Sequence, residues 1–111
     1  MNKIPMSPGA SALLRALIAR ADAPPDRILL SDARSVDWQS LTFTGERHLF
    51  QLRIPGPNAS DVIEHLCTGL EDAEFSIAGV IVADVALASA PSFALDGSTT
   101  ITIEALTIAE D

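Results

Sequence analysis

Apolar residues recur along this chain at two spacings, one typical of helices and one typical of strands. A helical stripe starts at residue 13, with apolar side chains at i, i+1, i+4, i+5 and i+8, and the same stripe returns 49 positions later. Each stripe predicts an amphipathic helix. The first consists of Leu13, Leu14, Leu17, Ile18 and Ala21, and the second of Val62, Ile63, Leu66, Cys67 and Leu70.

The residues around these stripes predict where the helices begin and end. Ser7 followed by Pro8 is typical of an N-cap and a first helical turn, and Ser11 is a later alternative. The pair Pro24-Pro25 prevents continuation of the first helix, because proline lacks the backbone N–H that a helix interior needs. Asn58 is the predicted N-cap of the second helix.

Alternating residues after the first helix predict a β-hairpin. Residues 38–44 alternate, and so do residues 48–54, with the short sequence Thr44-Gly45-Glu46 as the expected turn between them. In the second strand the apolar phase falls on Phe50, Leu52 and Ile54, which we expect to face the core. Two short segments, 28–30 and 75–77, are expected to be extended pieces beside the helices.

Two more strands are predicted after the second helix. Residues 80–88 form a nearly continuous apolar run, Asp96-Gly97 marks a turn, and residues 99–108 alternate again. Leu106 and Ile108 fall out of the phase of that last strand. Either a β-bulge lies near Ala105 or both faces of the sheet are buried there.

The predicted order is therefore αββαββ, which defines the expected fold class. We expect a single α+β domain over residues 1–111, with two helices packed on one face of a four-stranded, mainly antiparallel sheet. The matching stripes favour a degenerate duplication of an αββ unit at about residues 7–54 and 58–109. The order is also that of a ferredoxin-like chain whose first strand has moved to the end. This likeness concerns topology alone and implies no function.

Charge divides the chain into two unlike parts. The 111 residues carry a formal net charge of −8, and all seven basic residues lie before residue 54. Residues 1–53 hold seven basic and five acidic side chains, a sum of +2, whereas residues 54–111 hold ten acidic side chains and no basic one, a sum of −10. Such a chain is poorly suited to nucleic acid or to anionic lipid, because phosphate contacts need clustered Lys and Arg.

Cysteine content and hydropathy narrow the class further. The single Cys67 cannot form an internal disulfide, and the most apolar stretch is far shorter than the roughly 20 residues that a membrane helix needs. We therefore expect a soluble cytoplasmic protein. The sequence holds no Gly-rich phosphate loop and no Cys or His motif for a metal, so we expect no cofactor and favour a protein that is not an enzyme.

Four polar features of the sequence are candidates for chemistry. His48 beside Arg47 fits an acid/base or anion-binding group, but a surface turn residue is the favoured interpretation. His65 is expected to be exposed on the second helix, and Cys67 to be a small buried hydrophobe. The carboxylate run at residues 71–74 is expected to be a solvated helix end rather than a cation site.

Asp84 is the most informative candidate, because it interrupts an apolar strand and an unpaired buried carboxylate is costly. Strict alternation places Ile81, Ala83, Val85 and Leu87 towards the helices and Asp84 on the other face, with Val82 and Ala86. The same parity gathers a set of polar candidates on that open face, and we expect Arg53 to pair with Asp84 or Glu104. The candidate binding residues are Trp38, Thr42, Gln51, Arg53, Asp84 and Glu104, with His48 as a weaker one.

Three functional hypotheses follow from this open face and from the division of charge along the chain. The leading one is a non-catalytic domain that self-associates, with a dimer favoured, either through this face or through the contrast between the two halves. The second is a small-molecule site or small enzyme that uses Trp38, His48, Arg53 and Asp84, which requires a pocket where they converge. The third is docking of the acidic half onto a basic protein partner.

Overall fold

The structure, a computed structural model, describes residues 4–110. Within this described part of the chain, two helices and five strands follow one another, together with two short 3-10 turns at Pro25–Arg27 and Leu70–Asp72. The helices are α1 (Pro8–Arg20) and α2 (Ala59–Cys67), and the strands are β1 (Leu29–Gln39), β2 (Thr44–Ile54), β3 (Val80–Leu87), β4 (Ser92–Phe93) and β5 (Thr99–Ala109).

The strands form one antiparallel sheet in the order β1-β2-β5-β3, and the two-residue β4 pairs with the start of β5. The predicted α+β class is confirmed, with one short strand more than expected. The helix α2 connects β2 to β3, two strands that flank β5. This strand order is the one that the permuted ferredoxin-like arrangement gives. Each αββ unit pairs its own two long strands, while the proposed duplication stays a prediction.

Both helix starts follow from their sequences. The Ser7 side chain accepts a hydrogen bond from the Ala10 backbone N–H at 3.1 Å, and Pro8 occupies the first helical turn, as predicted. Asn58 is the N-cap of α2, although its side chain makes no capping hydrogen bond. The second helix is shorter than the apolar stripe predicted, because α2 ends at Cys67. Gly69 then adopts a left-handed backbone conformation, and Leu70 begins a 3-10 turn.

An arginine of α1 completes the end of α2. Arg20 Nε donates to the Leu66 carbonyl at 3.0 Å, and its Nη2 donates to the Thr68 carbonyl. The last carbonyls of a helix have no partner within it, and a cation there also opposes the negative end of the helix dipole. Arg20 therefore joins the two helices at their C-terminal ends.

The core lies between the two helices and one face of the sheet. Side chains of the helices and of alternate positions in β2, β3 and β5 form one apolar cluster, and Phe50, Leu13, Leu17, Leu66 and Ile103 within it are fully buried. Burial alternates along β5 as the sequence predicted, with Ile101, Ile103 and Ala105 turned inward. At about 25 cal/mol per Å² of apolar surface, this cluster provides most of the driving force for folding.

The first hairpin differs from the prediction. Its loop is the four residues 40–43, and β2 already begins at Thr44, so the Thr44-Gly45-Glu46 segment is strand rather than turn. The Ser40 hydroxyl accepts a hydrogen bond from the Phe43 N–H at 3.1 Å, and the Ser40 N–H donates to the Phe43 carbonyl at 2.8 Å. Gly45 lies in the ladder, opposite Trp38 and Ile108. Only glycine fits there without a shift of the backbone, because a Cβ would stand 1.9 Å from the Thr107 carbonyl oxygen.

The phase of β3 also differs from the prediction. The register with β5 shifts between Val82 and Asp84, so Ala83 is an extra residue in a β-bulge. As a result Val82 packs against the core and Ile81 is 52% exposed on the opposite face, which reverses the expectation for both. Val85 and Leu87 face the core, as predicted.

The two apolar residues that broke the phase of the last strand have a simple explanation. The strand β5 is regular through Leu106 and Ile108, and both side chains lie half-buried on the face away from the helices. The bulge that the sequence suggested near Ala105 therefore lies in the neighbouring strand β3. The segment 28–30 leads into β1, and Ile77 forms a single bridge with Val80.

Candidate functional site

The sheet face that the helices leave uncovered is the candidate functional site, and we call it the open face. The register of the strands places its side chains in five rows that run from β1 across β2 to β5, and three of these rows continue to β3. In that order the rows are Leu29-Arg53-Thr100, Asp32-Gln51-Thr102, Arg34-Leu49-Glu104-Ala86, Val36-Arg47-Leu106-Asp84 and Trp38-Gly45-Ile108-Ile81.

The centre of the open face is apolar. Leu49 and Leu106 stand diagonally across the two middle strands, with Val36, Ile81 and Ile108 around them. Val36 is 59% exposed and Ile81 is 52% exposed, and neither belongs to the core cluster or packs against it. Exposed apolar residues that are neighbours, rather than scattered singly, are typical of an interaction surface.

The charges of the open face are separated by sign. Its β1–β2 half carries Asp32, Arg34, Arg47 and Arg53, which sum to +2, and its β5–β3 half carries Asp84 and Glu104, which sum to −2. Two ion pairs join side chains among residues 4–110: Arg34 with Asp32 at 3.1 Å and Arg53 with Asp96 at 2.7 Å. Neither pair includes Arg47, Asp84 or Glu104, whose side chains are all exposed.

Five of the six predicted open-face residues lie on this face: Trp38, Gln51, Arg53, Asp84 and Glu104. The sixth, Thr42, lies in the exposed hairpin loop, because that loop comes earlier than predicted. Arg53 pairs with Asp96 of the loop before β5, and not with Asp84 or Glu104 as expected. The partner choice follows from the register, since Arg53 is in the end row nearest that loop.

His48 is not the surface turn residue that the sequence favoured. It is 2% exposed and points to the core side of β2, where its ring stacks on Phe50 with centroids 5.9 Å apart. Its Nδ1 is hydrogen-bonded to the Ser35 hydroxyl at 2.7 Å and its Nε2 to the Thr107 hydroxyl at 2.8 Å. Burial lowers the pKa of His48 below its ordinary 6.5, an effect that the nearby Glu46 charge partly opposes.

A small-molecule site would need Trp38, His48, Arg53 and Asp84 to meet in one pocket, and these four side chains do not meet. Trp38 and Arg53 lie in opposite end rows of the open face, eight residues apart along β2 by their register, a distance of about 26 Å in an extended strand. His48 is on the other side of the sheet. A depression of about 200 Å³ is lined by open-face residues together with His48 and Ala105, but not by Trp38, Arg53 or Asp84. Its volume is below the about 300–1,000 Å³ of typical ligand pockets.

Asp96 is held by a local network of hydrogen bonds in the turn between β4 and β5. Its Oδ1 accepts hydrogen bonds from the Ser98 hydroxyl at 2.6 Å and the Ser98 N–H at 2.9 Å, while Oδ2 accepts from Arg53. These bonds, the Ser98 hydroxyl above all, lower the pKa of Asp96 to about 2. The network fixes the loop beside the end row, and the sequence signalled it only as an Asp-Gly turn.

The remaining candidates have ordinary surroundings. Cys67 is half-buried and burial raises the pKa of its thiol, with the Arg20 charge acting in the opposite direction. His65 is exposed, and its Nδ1 is 2.9 Å from the Asp61 carbonyl of its own helix. Among residues 4–110 no group of three or more His, Cys, Asp or Glu side chains is placed to hold a metal ion.

Neither helix in the described part of the chain is long and apolar enough to cross a membrane. No protein-family model matches the sequence, and neither a curated protein nor a solved structure is significantly similar to it.

The main residues that sequence reasoning missed are Arg47, Leu49, Val36 and Ile81. Extending the outward phase of Gln51 and Arg53 back along β2 leads to Leu49 and Arg47, so the signal for these two was present. This signal was not used, because a turn was expected at residues 44–46.

Proposed function

We propose that the protein is a non-catalytic module that self-associates as a homodimer through its open face. One observation carries this proposal: the helices cover one side of the sheet, whereas the other side exposes adjoining apolar side chains at its centre. The occupant we propose for that centre is the open face of a second copy.

The surface area of the chain supports an uncovered interface. A monomer of 11.7 kDa typically has an accessible surface of about 5,900 Å², whereas this chain has 7017 Å². The excess of about 1,100 Å² is of the same order as the roughly 800 Å² that each partner buries in a standard interface. The excess is shared with exposed loops, since Leu41 and Leu95 are fully exposed in theirs.

The edges of the sheet are less suited to association than its face. The edge strand β1 carries a register irregularity between Leu30 and Asp32 and several charged side chains, and the edge strand β3 carries the bulge at Ala83 and the charge of Asp84. Bulges and charges at edge strands oppose pairing with another chain. The face therefore remains as the more favourable surface.

The charges of the open face favour a second copy over a basic partner. They sum to zero, +2 on one half and −2 on the other, so the acidic excess of the chain lies away from this face. A basic protein would be attracted to the acidic loops and to α2, which carries Asp61 and Glu64, instead. For the same reason we keep anionic lipid and nucleic acid outside the proposal, and a cytoplasmic location stays a prediction.

Sedimentation equilibrium over a concentration series up to tens of micromolar tests this function. We expect the wild type to show a monomer–dimer equilibrium and Leu49→Asp to be monomeric, since a carboxylate at the centre would be desolvated without a partner. Leu41→Asp is the matched control, because Leu41 is fully exposed in the hairpin loop and belongs to none of the rows of the open face. It should dimerise like the wild type.

Circular dichroism spectra and melting curves of both variants verify that each is folded, so that loss of the dimer is not loss of the fold. A wild type that stays monomeric over the whole series, at low and at high salt, contradicts the proposal. Equal dimerisation of Leu49→Asp and wild type contradicts it as well.

A further inference from the structure

We infer that two copies meet with their two-fold axis parallel to the strands, so that the β1–β2 half of each open face lies on the β5–β3 half of the other. This inference rests on the proposed self-association and adds its geometry. It assigns Arg47 of one copy to Glu104 and Asp84 of the second copy.

The separation of charge on the open face makes the two possible face-to-face arrangements unequal. A two-fold axis along the strands exchanges left and right halves, and so places the +2 half of one copy over the −2 half of the other. A two-fold axis across the strands keeps left on left. It would place like charges opposite one another, which disfavours that arrangement.

Arg47 is the basic residue that this geometry uses most directly. Its side chain is exposed and belongs to neither ion pair found among residues 4–110. The other two arginines of the face already hold Asp32 and Asp96. Arg47 therefore brings an uncommitted positive charge to the centre of the face.

The two uncommitted acids of the face lie where a second copy would present them to Arg47. Arg47 is in the same row as Leu106 and Asp84, and Glu104 is in the next row on β5. After rotation about an axis along the strands, Asp84 of the second copy arrives in the row of Arg47, and Glu104 one row away. Packed sheets are about 10 Å apart, a gap that an arginine and a glutamate can span from opposite sides.

The apolar centre is compatible with the same axis. Leu49 and Leu106 lie diagonally, in adjacent rows on the two middle strands. The rotation exchanges β2 and β5, so the four leucine side chains of the two copies occupy one continuous central region. The ion pairs then lie beside a desolvated centre, where charge complementarity has its largest effect on specificity.

A charge exchange between two variants tests the geometry. We expect Arg47→Glu alone and Glu104→Arg alone each to raise the dimer dissociation constant about tenfold or more, because each homodimer would hold two like-charged contacts. An equimolar mixture of the two variants should form a heterodimer with the wild-type dissociation constant, since both contacts become opposite in charge again. Sedimentation equilibrium, with one variant carrying a fluorescent label, measures all three constants.

Arg15→Glu and Glu64→Arg are the matched controls, because they make the same charge changes at exposed helix positions. Each alone, and their mixture, should dimerise like the wild type. Circular dichroism confirms the fold of every variant. A mixture of the Asp84→Arg variant with the Arg47→Glu variant provides a second exchange pair.

The outcomes separate the two claims. A monomeric wild type overturns self-association, and this geometry with it. A dimeric wild type whose single variants are unaffected, or whose mixture is not restored, overturns the geometry alone and leaves the proposed function standing.

Discussion

Replacement of Gly45 by alanine tests the strand register on which the open face depends. In the structure a Cβ at this position would lie 1.9 Å from the Thr107 carbonyl oxygen and 2.9 Å from its carbon, both backbone atoms. Neither can rotate away, so the β2–β5 ladder must shift near its end. Overpacking of this kind costs about 1–3 kcal/mol, and each ladder hydrogen bond lost adds about 1 kcal/mol.

We therefore expect Gly45→Ala to lower the free energy of unfolding by about 3 kcal/mol, a large part of the 5–15 kcal/mol typical of a domain. Urea denaturation measures it at one fixed protein concentration, because a dimer's stability depends on concentration. With a denaturant slope of about 1–3 kcal/mol per M, the midpoint should fall by about 1–3 M.

Gly9→Ala is the matched control, because it makes the same chemical change inside α1. A Cβ at Gly9 would make only ordinary contacts, the nearest at 3.6 Å from the Glu46 carboxylate. Glycine in a helix is about 0.5–1 kcal/mol less favourable than alanine, so the midpoint should stay the same or rise. An unchanged midpoint for Gly45→Ala would refute the register and would place Gly45 in a turn, as its sequence context predicts.

Three further predictions concern stability and ionisation. Replacing Arg20 by methionine should lower the free energy of unfolding by about 1–3 kcal/mol in urea denaturation, since the last carbonyls of α2 lose their charged donors. Lysine at this position should restore only part of the lost stability, and a wild-type midpoint for the methionine variant would contradict the prediction. Because burial lowers the pKa of His48 below the 6.5 of the unfolded chain, its contribution to stability is full above pH 6.5 and is lost as the pH falls through and below 6.5. The unfolding free energy should therefore decrease from about pH 8 to about pH 5.5, and an equal decrease in His48→Gln would argue against this source. An NMR titration should give Asp96 a pKa of about 2, which Ser98→Ala should raise towards 3.8, and the stability from this carboxylate should be present above pH 3.8 and lost as the pH falls towards 2. An unchanged pKa of Asp96 in the variant would show that the Ser98 hydroxyl is not the main cause of the low pKa.

Patterns that depend on near neighbours in sequence predicted much of the fold. The two apolar stripes located both helices, because helix faces are set by residues three and four apart. The phase of Ile101, Ile103 and Ala105 gave the inward side of β5 correctly. Together with the order of elements, these patterns led to the α+β class.

Features that depend on contacts between distant residues could not be read from the sequence. The bulge at Ala83 is set by pairing with β5, and it reversed the expected sides of Ile81 and Val82. The inward side of His48 follows from the phase of Phe50, Leu52 and Ile54 once β2 is known to begin at Thr44, but its hydrogen bond to Thr107, 59 positions later, could not be predicted. The hairpin loop closes on the Ser40 side chain, whereas Thr44-Gly45-Glu46 resembles a turn by composition alone.

The candidate site was predicted in part for the same reasons. Residues in the alternating parts of strands, such as Gln51 and Glu104, were assigned to the correct face. Thr42 was not, because the hairpin loop was misplaced, and Arg47 and Leu49 were overlooked for the same reason. The charge division along the chain was visible in the sequence, but its division across one sheet face needed the strand order.

The most direct test of the account is an amide NMR spectrum recorded across a dilution series of the wild type. If a second copy covers the open face, the resonances that move or broaden with concentration should belong to β2 and β5, around Leu49 and Leu106, while those of α1 and α2 stay constant. Concentration-dependent changes centred on the helices, or a spectrum that does not change on dilution, would contradict the claim that this face is the working surface of the protein.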